Sequence, residues 1–214
     1  MNGGDNTEDK SVTGKVDEAF DFNGADDFVE IADSSALSPT SAVSISAWVD
    51  FHSLGEVTGI VWKHGYNYLL EQGGNRIYFN VWDSDGDQSS VSFADADLDP
   101  GWNHIAATFD GQARIYLNGT LKDTGSTIDN IRDNGGNLFI GKRPDGIGDT
   151  YFDGLIDQVK IFNNALSQGE VDSLYSEGAS VGLVGHWTLD DNAGNTTVVG
   201  CKYYFHITHY RTVT

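Results

Sequence analysis

The feature that most constrains the fold is a run of alternating apolar residues within positions 99–121, interrupted once by Asp-Gly. The apolar positions are Ile105, Ala107 and Phe109 before the interruption, and Ala113, Ile115 and Leu117 after it. Successive side chains of a strand point to opposite faces, so a shift of one residue would send one row to the wrong face. A two-residue loop would place Phe109 opposite Gln112, whereas a three-residue loop at 110–112 places Phe109 opposite Ala113. Only the longer loop keeps both rows on one buried face, and the sequence therefore predicts that antiparallel hairpin.

Short segments with the same period of two recur along the chain, at 20–22, 28–31, 43–49, 60–62, 66–70, 76–82, 138–140 and 155–162. The helical signal begins with Ser167 and Glu170, a capping box in which each side chain satisfies a backbone donor at the start of a helix. Val171, Leu174 and Tyr175 follow at helical spacing. Many short strands and one short helix near residues 168–177 predict an all-β chain folded as a β-sandwich.

Acidic side chains dominate the charge of the chain. There are 32 Asp and Glu against 12 Lys and Arg, a net charge of −20, and 25 of the acids are Asp against 7 Glu. Such a surface disfavours nucleic acids and anionic membranes as partners, because both require basic patches. The excess of Asp fits loops and turns, where Asp forms local hydrogen bonds. It also fits oxygen-ligand sites for calcium, or a surface adapted to a salty medium.

Length and cysteine content set further limits. A chain of 214 residues buries roughly 70% of its unfolded surface, so it needs no disulfide or metal to fold. Cys201 is the lone cysteine, which excludes an intrachain disulfide. No apolar run approaches the roughly 20 residues that a membrane-spanning helix requires. Residues 1–10 are polar and acidic and show no signal peptide, so we expect any export signal to lie outside this sequence.

Five motifs stand in a fixed order along the chain. They are AFDFNGADDFVEI, SISAWV, LDPGWNHIAATFDGQARIYLNGTL, NLFIGKR and FDGLIDQVKIFNNALSQGEVDSLYSEG. Together they resemble the laminin G-like domains of the concanavalin A-like lectin/glucanase superfamily, and the likeness covers about residues 14–178. The resemblance implies a jelly-roll β-sandwich of two antiparallel sheets.

The position of one motif departs from that family. A strand of the type GLVGHWTLDDNAG normally opens such a domain, but here it stands at 182–194, after the closing helix. Either a second, truncated repeat begins there, or the segment folds back and completes this domain. We expect fold-back, because an unpaired sheet edge promotes aggregation. The chain then divides into a lead-in at 1–14, one domain at 15–191 and an atypical tail at 195–214, which resembles an added or fused segment.

No catalytic constellation is found in the sequence. Glycan-cleaving relatives in this superfamily place carboxylates in an E-x-D-x-x-E arrangement on one strand, since two carboxyl groups must flank the scissile bond. None of the 7 glutamates stands in that pattern. Asp95, Asp97 and Asp99 alternate, but they lie in a segment predicted to be a solvated loop. Because no Ser-His-Asp elbow, nucleophilic Cys or phosphate loop is present either, the sequence predicts that the chain is not an enzyme.

The resemblance implies one structural calcium ion, since superfamily members often hold one through an Asp of the last strand before the closing segment. The matching residue is Asp157, whose alternation places it in one row with Leu155, Val159 and Ile161. A carboxylate in an apolar row is costly unless it is paired or bound to metal. Asn23 and Asp190 are the co-ligands that the resemblance implies, and the alternative is that Asp157 accepts backbone hydrogen bonds.

A second acidic segment, Asp83 to Asp87, resembles the start of a calcium loop. The twelfth position of such a loop needs a bidentate Glu, but Ala94 stands there. We therefore predict an ordinary acidic hairpin turn at 83–87.

The polar faces of three strands combine aromatic rings with Arg, Asn and His. They comprise Arg76, Tyr78, Asn80 and Trp82, then Trp102 and His104, then Arg114, Tyr116 and Asn118. Such a combination suits a sugar, which presents apolar C–H faces and many hydroxyl groups. WNHIA recurs in the family whatever the ligand, so Trp102 is assigned to the core. The predicted ligand-binding residues are Trp62, Tyr66, Tyr78, Trp82, His104 and Arg114.

These observations predict a non-catalytic module that binds carbohydrate and belongs to a larger secreted or cell-surface protein, without membrane insertion. One alternative is an adhesive or structural spacer that binds protein or no ligand. The other is an inactive or divergent relative of glycoside hydrolases.

Overall fold

The computed structural model of the protein describes residues 10–16, 18–144 and 148–177, together with the backbone of a strand at 183–187. Most of these residues lie in two antiparallel sheets. The eight-stranded sheet contains, in spatial order, β1 (Ser11–Thr13), β2 (Glu18–Asn23), β15 (Asp153–Phe162), β4 (Val43–Phe51), β9 (Asn103–Phe109), β10 (Gln112–Leu117) and β11 (Thr120–Thr127), and β16 (Leu183–Trp187) pairs with β15 beside this row. The six-stranded sheet contains β3 (Val29–Ile31), β12 (Leu138–Ile140), β5 (Thr58–Lys63), β6 (Tyr68–Gly73), β7 (Arg76–Trp82) and β8 (Gln88–Ala94).

Shorter elements complete the described fold. They are the hairpin of β13 (Lys142–Arg143) and β14 (Thr150–Tyr151), two 3-10 turns at Ser35–Leu37 and Asp95–Asp97, and the helix α1 (Gln168–Glu177). Within the described part of the chain, no helix is long and apolar enough to cross a membrane.

The core lies between the two sheets and is built from the inward-facing row of each strand. The predicted hairpin contributes two of these rows, and its register is confirmed: Phe109 lies opposite Ala113, and Ile105 lies opposite Leu117. All four of these residues are buried in the main hydrophobic cluster. Gly111 sits in the turn with φ at 98°, a left-handed conformation that glycine adopts without steric cost. The alternation of six apolar residues thus determined both the loop length and the buried face.

The predicted fold class, a jelly-roll sandwich of two antiparallel sheets with one short helix, is confirmed. The capping box is also present: Glu170 accepts hydrogen bonds from the backbone N–H and the hydroxyl of Ser167 at 2.7 and 2.8 Å. The helix packs Val171 and Leu174 onto the outer face of the eight-stranded sheet, against Tyr116.

The long strand β15 contains a bulge that corrects the predicted position of Asp157. The register against β4 shifts between Asp157 and Lys160, and Gln158 has φ at 50°. As a result, Ile156 and Val159 both face the core, whereas Asp157 lies opposite Trp48 on the other side of the sheet. The expectation that Asp157 shares one row with Val159 was therefore wrong, because a bulge adds a residue that breaks the period of two.

Strand β16 lies where the displaced motif was expected to fold back. Its backbone pairs antiparallel with β15, with Trp187 opposite Val159 and Leu183 opposite Phe162. Strand β2 pairs with the other end of β15, from Asp153 to Ile156, so β2 and β16 together extend along one side of this strand. The remainder of the 182–194 motif, most of the 1–14 lead-in and the 195–214 tail lie outside the described residues, and the division into domains stays a prediction.

We expect a chain that ends at residue 177 to melt several degrees below the full chain. Its truncation leaves the last backbone groups of β15 without their β16 partners, and unpaired buried backbone groups are destabilising. Thermal unfolding followed by circular dichroism measures the difference, and a chain that ends at residue 194 is the matched control. Equal melting temperatures for the chains that end at 177 and 194 would contradict fold-back.

Candidate aromatic–arginine binding surface

The residues predicted to form one polar face lie on the two opposite outer faces of the sandwich. Strand β7, with Tyr78 and Trp82, belongs to the six-stranded sheet, whereas His104 and Arg114 lie in β9 and β10 of the eight-stranded sheet. In each of these strands the alternate residues point into the core, so the polar rows point outward in opposite directions. In these three strands, alternation predicted correctly which residues point outward. It did not predict the sheet to which each strand belongs.

The outer face of the eight-stranded sheet around His104 is covered by the helix α1. His104 is 1% exposed, its ring lies 5.2 Å from that of Trp48 and 5.9 Å from that of Tyr175, and its Nε2 is 2.9 Å from the hydroxyl of Ser46. Burial, together with the charge of Lys160, lowers the pKa of His104 to about 3. His104 is therefore a neutral interior residue, and the structure separates it from any exposed ligand surface.

Two more members of that row lie near the helix or at the edge of this face. Tyr116 is buried under α1. Arg114 is partly exposed and donates to the Asp110 carboxylate at 2.8 Å, four residues earlier in the chain. Trp102, which was assigned to the core, is partly exposed just before β9. Arg114 and Tyr116 thus belong to the eight-stranded sheet and Trp102 directly precedes one of its strands, whereas Trp62 and Trp82 lie in the six-stranded sheet.

The outer face of the six-stranded sheet brings three predicted ligand residues together. The ring of Tyr66 lies 5.9 Å from that of Trp62 and 5.3 Å from that of Trp82, both edge to face. The guanidinium group of Arg132 lies over Tyr66 and Trp82, at 5.6 and 5.9 Å from the ring centroids. Arg143 lies over Trp62 at 5.3 Å. We call these five residues the aromatic–arginine surface.

Tyr66 is the exposed member of this surface and is held in an uncommon backbone conformation. It is 44% exposed and has φ at 60°, a value that costs free energy in residues other than glycine unless the surroundings impose it. Arg132 imposes it from two directions: its Nε donates to the Tyr66 carbonyl at 2.7 Å, and its backbone N–H donates to the Trp82 carbonyl at 2.9 Å. Trp82 is partly exposed, whereas Trp62 is 2% exposed and supports the others from beneath.

The segment 128–137, between β11 and β12, anchors the turn that carries Tyr66. Asn134 donates to the carbonyl of Gly65 at 2.7 Å, and Lys63, which is fully buried, donates to the Gly136 carbonyl and to the Asp33 carboxylate. Partial burial raises the pKa of Asp33, but the hydrogen bond and charge of Lys63 outweigh it and hold this pKa below its ordinary value. The ion pair of Lys63 with Asp33 is therefore intact at neutral pH.

Polar groups continue the surface across β6 and β7. Asn80 donates to Glu71 at 3.2 Å and accepts from Gln88 at 2.9 Å. Burial raises the pKa of Glu71, and the charge of Arg143 opposes that rise only in part. Oε2 of Glu71 and Nε of Arg143 are buried and have no hydrogen-bond partner among the described residues. Buried polar atoms of this kind are normally satisfied by protein, water or ligand.

The acidic turn beside Trp82 is closed by its own side chain, as predicted. Oδ1 of Asp83 accepts the backbone N–H groups of Asp85 and Asp87 at 3.0 and 2.9 Å. Because these bonds occupy that carboxylate oxygen, the segment is an Asx-type hairpin turn.

The predicted calcium ligands do not fit a single ion. Asn23 lies opposite Asp153, and Asp157 is four residues further along the same strand, roughly 13 Å away, whereas ligands of one calcium ion lie within about 5 Å of each other. The side-chain oxygen Oδ1 of Asn23 already accepts the backbone N–H groups of Ala25 and Asp26 in its own turn. Asp157 accepts the Val16 N–H at 2.9 Å and lies near Lys160. Asp190 lies outside the described residues, and no three His, Cys, Asp or Glu side chains in the described ranges come together as a metal site.

Sequence reasoning missed Arg132, Arg143 and Glu71. Both arginines lie in irregular or very short segments, where no periodicity assigns a side chain to a face. The available signal is composition: in a chain with only 12 Lys and Arg, each arginine near an aromatic residue is a candidate. Glu71 was considered only as a member of a catalytic pattern.

Comparisons with known proteins agree with this fold. A family model of the laminin G type, described as the concanavalin A-like lectin/glucanases superfamily, matches residues 23–172. No curated protein matches the chain in sequence.

Several solved structures are similar to the chain in fold. A putative carbohydrate binding protein from Bacteroides ovatus has a TM-score of 0.66 and 18% identity over 84% of this chain and 55% of its own length. Domain 4 of AbnA, a GH43 extracellular arabinanase from Geobacillus stearothermophilus in complex with arabinotriose, has a TM-score of 0.58 and 23% identity over 77% of this chain and 80% of its own. The binding domain of paraclostridial mosquitocidal protein 1 has a TM-score of 0.61 and 18% identity over 77% of this chain and 44% of its own. The chain thus spans about half the length of the first and third of these proteins.

We expect the stability contributed by His104 to be lost in acid. The folded protein has a pKa of about 3 for His104, below its ordinary value of 6.5. The unfolded chain therefore binds this proton first, and stability falls as pH decreases from about 6.5 towards 3. Relative to His104→Gln, the free energy of unfolding of the wild type should drop by about 2 kcal/mol between pH 6.5 and 4.5, measured by urea denaturation. A constant difference between the two proteins across this range would contradict the neutral assignment.

We expect Asp157→Asn to lower the melting temperature by the same amount in EDTA and in calcium. The amide keeps an acceptor for Val16 but loses the charge that faces Lys160. Asp87→Asn, a change at an exposed turn residue remote from Asp157, serves as the control. The calcium prediction itself is checked in the same melts. If calcium stabilised the wild type but not the Asp157→Asn protein, Asp157 would be a metal ligand rather than a hydrogen-bond acceptor.

Proposed function

The chain belongs to the concanavalin A-like lectin/glucanases superfamily, and from that premise we propose that it is a non-catalytic module that binds carbohydrate through the aromatic–arginine surface. The observation that carries the proposal is the exposed ring of Tyr66, fixed between Trp62 and Trp82 by Arg132. An exposed aromatic ring that is already immobile loses little conformational entropy when a ligand stacks on it.

The chemistry of the surface suits a neutral or anionic sugar. An aromatic ring contacts the C–H face of a pyranose or furanose, and guanidinium and amide groups donate hydrogen bonds to hydroxyl or carboxylate oxygens. Arg132 and Arg143 supply donors at the two ends of the surface, and Asn80 and Glu71 supply an amide and a carboxyl group between them. The buried atoms of Glu71 and Arg143 that lack a partner among the described residues are positions at which a ligand or water completes the hydrogen bonding.

The structural neighbours support a binding module. Domain 4 of the Geobacillus arabinanase was solved with arabinotriose, and the Bacteroides protein is described as a putative carbohydrate binding protein. The paraclostridial neighbour is a toxin binding domain. These descriptions favour binding over catalysis, in agreement with the missing E-x-D-x-x-E pattern.

The same reasoning favours a place outside the cell. The arabinanase neighbour is extracellular by its description. Glycans that a binding module can reach are abundant on cell surfaces and in secreted material. We propose that the chain acts as a targeting or adhesive module of a larger secreted or surface protein. With a net charge of −20, nucleic acid is disfavoured as a partner.

We expect Tyr66→Ala and Trp82→Ala each to weaken glycan binding at least about tenfold, because truncating a tyrosine or tryptophan that anchors a binding surface typically costs about 2 kcal/mol or more. A glycan array that includes arabino-oligosaccharides identifies the ligand, and isothermal titration calorimetry then measures the affinity of each variant. The matched control is Tyr175→Ala on the opposite face, because Tyr175 is 41% exposed and Tyr66 is 44% exposed.

Two outcomes would contradict the proposal. The first is an array without any bound glycan, which would favour the spacer or protein-binding alternative. The second is a bound glycan whose affinity falls with Tyr175→Ala but not with Tyr66→Ala, which would move the binding surface to the eight-stranded sheet. Melting curves of all three variants confirm that each protein is folded.

A further inference from the structure

A cavity opens between the two sheets, at the end of the six-stranded sheet remote from Tyr66. Its volume is about 470 Å³, within the range of small-molecule sites. Residues that line it include Asn23, Glu56, Thr58, Gln72, Asp149 and Asp153. Gln72 is four residues beyond Tyr68 along β6, roughly 13 Å away, so the cavity is separate from Tyr66, whereas Arg143 lies between the two places, since its strand partner Thr150 lines the cavity.

The floor of the cavity is polar although it continues the core-facing rows of the sheet. Gln72 follows Tyr68 and Leu70 on the inward side of β6, and Thr58 lies opposite Gln72 on β5. Gln72 is 1% exposed and Thr58 is 4% exposed. The Thr58 hydroxyl has no hydrogen-bond partner among the described residues, and the amide of Gln72 makes a long bond of 3.4 Å to the Ser53 carbonyl. Apolar residues at these positions would seal the core at lower cost, so this pair points to a polar occupant.

The rim of the cavity is anionic. Glu56, Asp149 and Asp153 line it, and no lysine or arginine is among the described residues of the lining. Lys142 pairs with Asp149 at 2.6 Å, and the His52 ring lies 3.9 Å from the Asp153 carboxylate. Glu56 forms no ion pair within the described residues. Carboxylates grouped at the mouth of a cavity attract a cation.

We propose that this cavity binds an amino sugar, with the ammonium group at Glu56 and Asp153 and the hydroxyl groups at Gln72 and Thr58. Among the described residues the carboxylates do not come together as a metal site, so a charge carried on an extended frame fits better than a point charge. A lysine side chain fits less well, because its apolar stem would need apolar contacts and Ala25 is the one aliphatic side chain among the described residues of the lining. Apart from Gly24, the other described lining residues present hydroxyl, amide or carboxylate groups, which match a polyhydroxylated ligand.

The cavity is a second site on the same module and goes beyond the proposed function. It is lined by carboxylates, whereas the aromatic–arginine surface carries arginines. The test is a nuclear magnetic resonance titration of the full chain with glucosamine, in calcium-free buffer at low salt. We expect glucosamine to shift the amide signals of residues 23–25, 56–58, 72 and 149–153. N-acetylglucosamine, which lacks the charge, should bind at least about tenfold more weakly, because hydrogen bonds to charged groups are the stronger ones.

Variants make the assignment specific. The double change Glu56→Gln and Asp153→Asn should weaken glucosamine at least about tenfold, and Thr58→Val should weaken it by a smaller factor. Asp85→Asn removes one exposed charge at the opposite end of the sheet and should leave the affinity unchanged. Tyr66→Ala should also leave it unchanged, so a failure of the first site and a failure of this one are distinguishable.

Four results would overturn the inference. They are the absence of shifts at the cavity, shifts confined to the neighbourhood of Tyr66, equal binding by lysinamide, and full displacement of glucosamine by equimolar calcium. The third would make the cavity a site for a protein side chain, and the fourth would make it a site for a divalent ion.

Discussion

The ammonium group of Lys63 lies inside the protein, and the end of the sandwich that carries Tyr66 depends on how that charge is compensated. Removing an ammonium ion from water costs several kcal/mol even after the surroundings relax, so a buried lysine must find charged and polar partners. Lys63 finds them in Asp33 and in the carbonyl of Gly136, which approach the β5–β6 hairpin from separate parts of the chain. The 128–137 segment is thereby held across the hairpin turn, and Arg132 comes within reach of Tyr66. The rigidity of the exposed ring is thus a consequence of a buried charge.

Much of the fold could be predicted because most strands obey a strict period of two. The register at Phe109 and Ala113 followed from one requirement, that both apolar rows share a face. The prediction failed at Asp157, where a bulge inserts one residue and restores Val159 to the core. The alternation of residues does not reveal this bulge. The bulge disrupts the hydrogen bonds of the strand locally, whereas the packing of Val159 that it allows depends on the tertiary structure. Sheet membership was also beyond the sequence, since His104 and Trp82 show the same alternation on strands of different sheets.

The candidate site was predictable in its aromatic half and not in its cationic half. Trp62 is the last residue but one of β5, Trp82 ends β7 on the far side of β6, and Tyr66 lies in the turn between β5 and β6, so three consecutive strands bring the rings to one edge. Arg132 is 66 residues from the Tyr66 carbonyl that it binds, and no periodicity governs the segment that carries it. Long-range contacts made by irregular segments depend on the whole packing arrangement, which a single sequence does not specify. The predicted partner His104 failed for the complementary reason: a helix with its own strong sequence signal covers that face.

The uneven distribution of charge gives the molecule two chemically opposite ends. The chain carries a net charge of −20, yet Arg132 lies over the rings of Tyr66 and Trp82 at one end of the six-stranded sheet, while carboxylates line the cavity at the other end. Repulsion among many acidic groups disfavours placing more carboxylates around one cavity unless a cation or a local partner offsets them. Arginines on an acidic protein are correspondingly attractive to mobile anions. A glycan with both acidic and amino sugars would therefore experience a directional field along the sheet, which favours one orientation of the chain over its reverse. Separated charges of this kind would favour one direction of a bound glycan along the sheet without any additional contact.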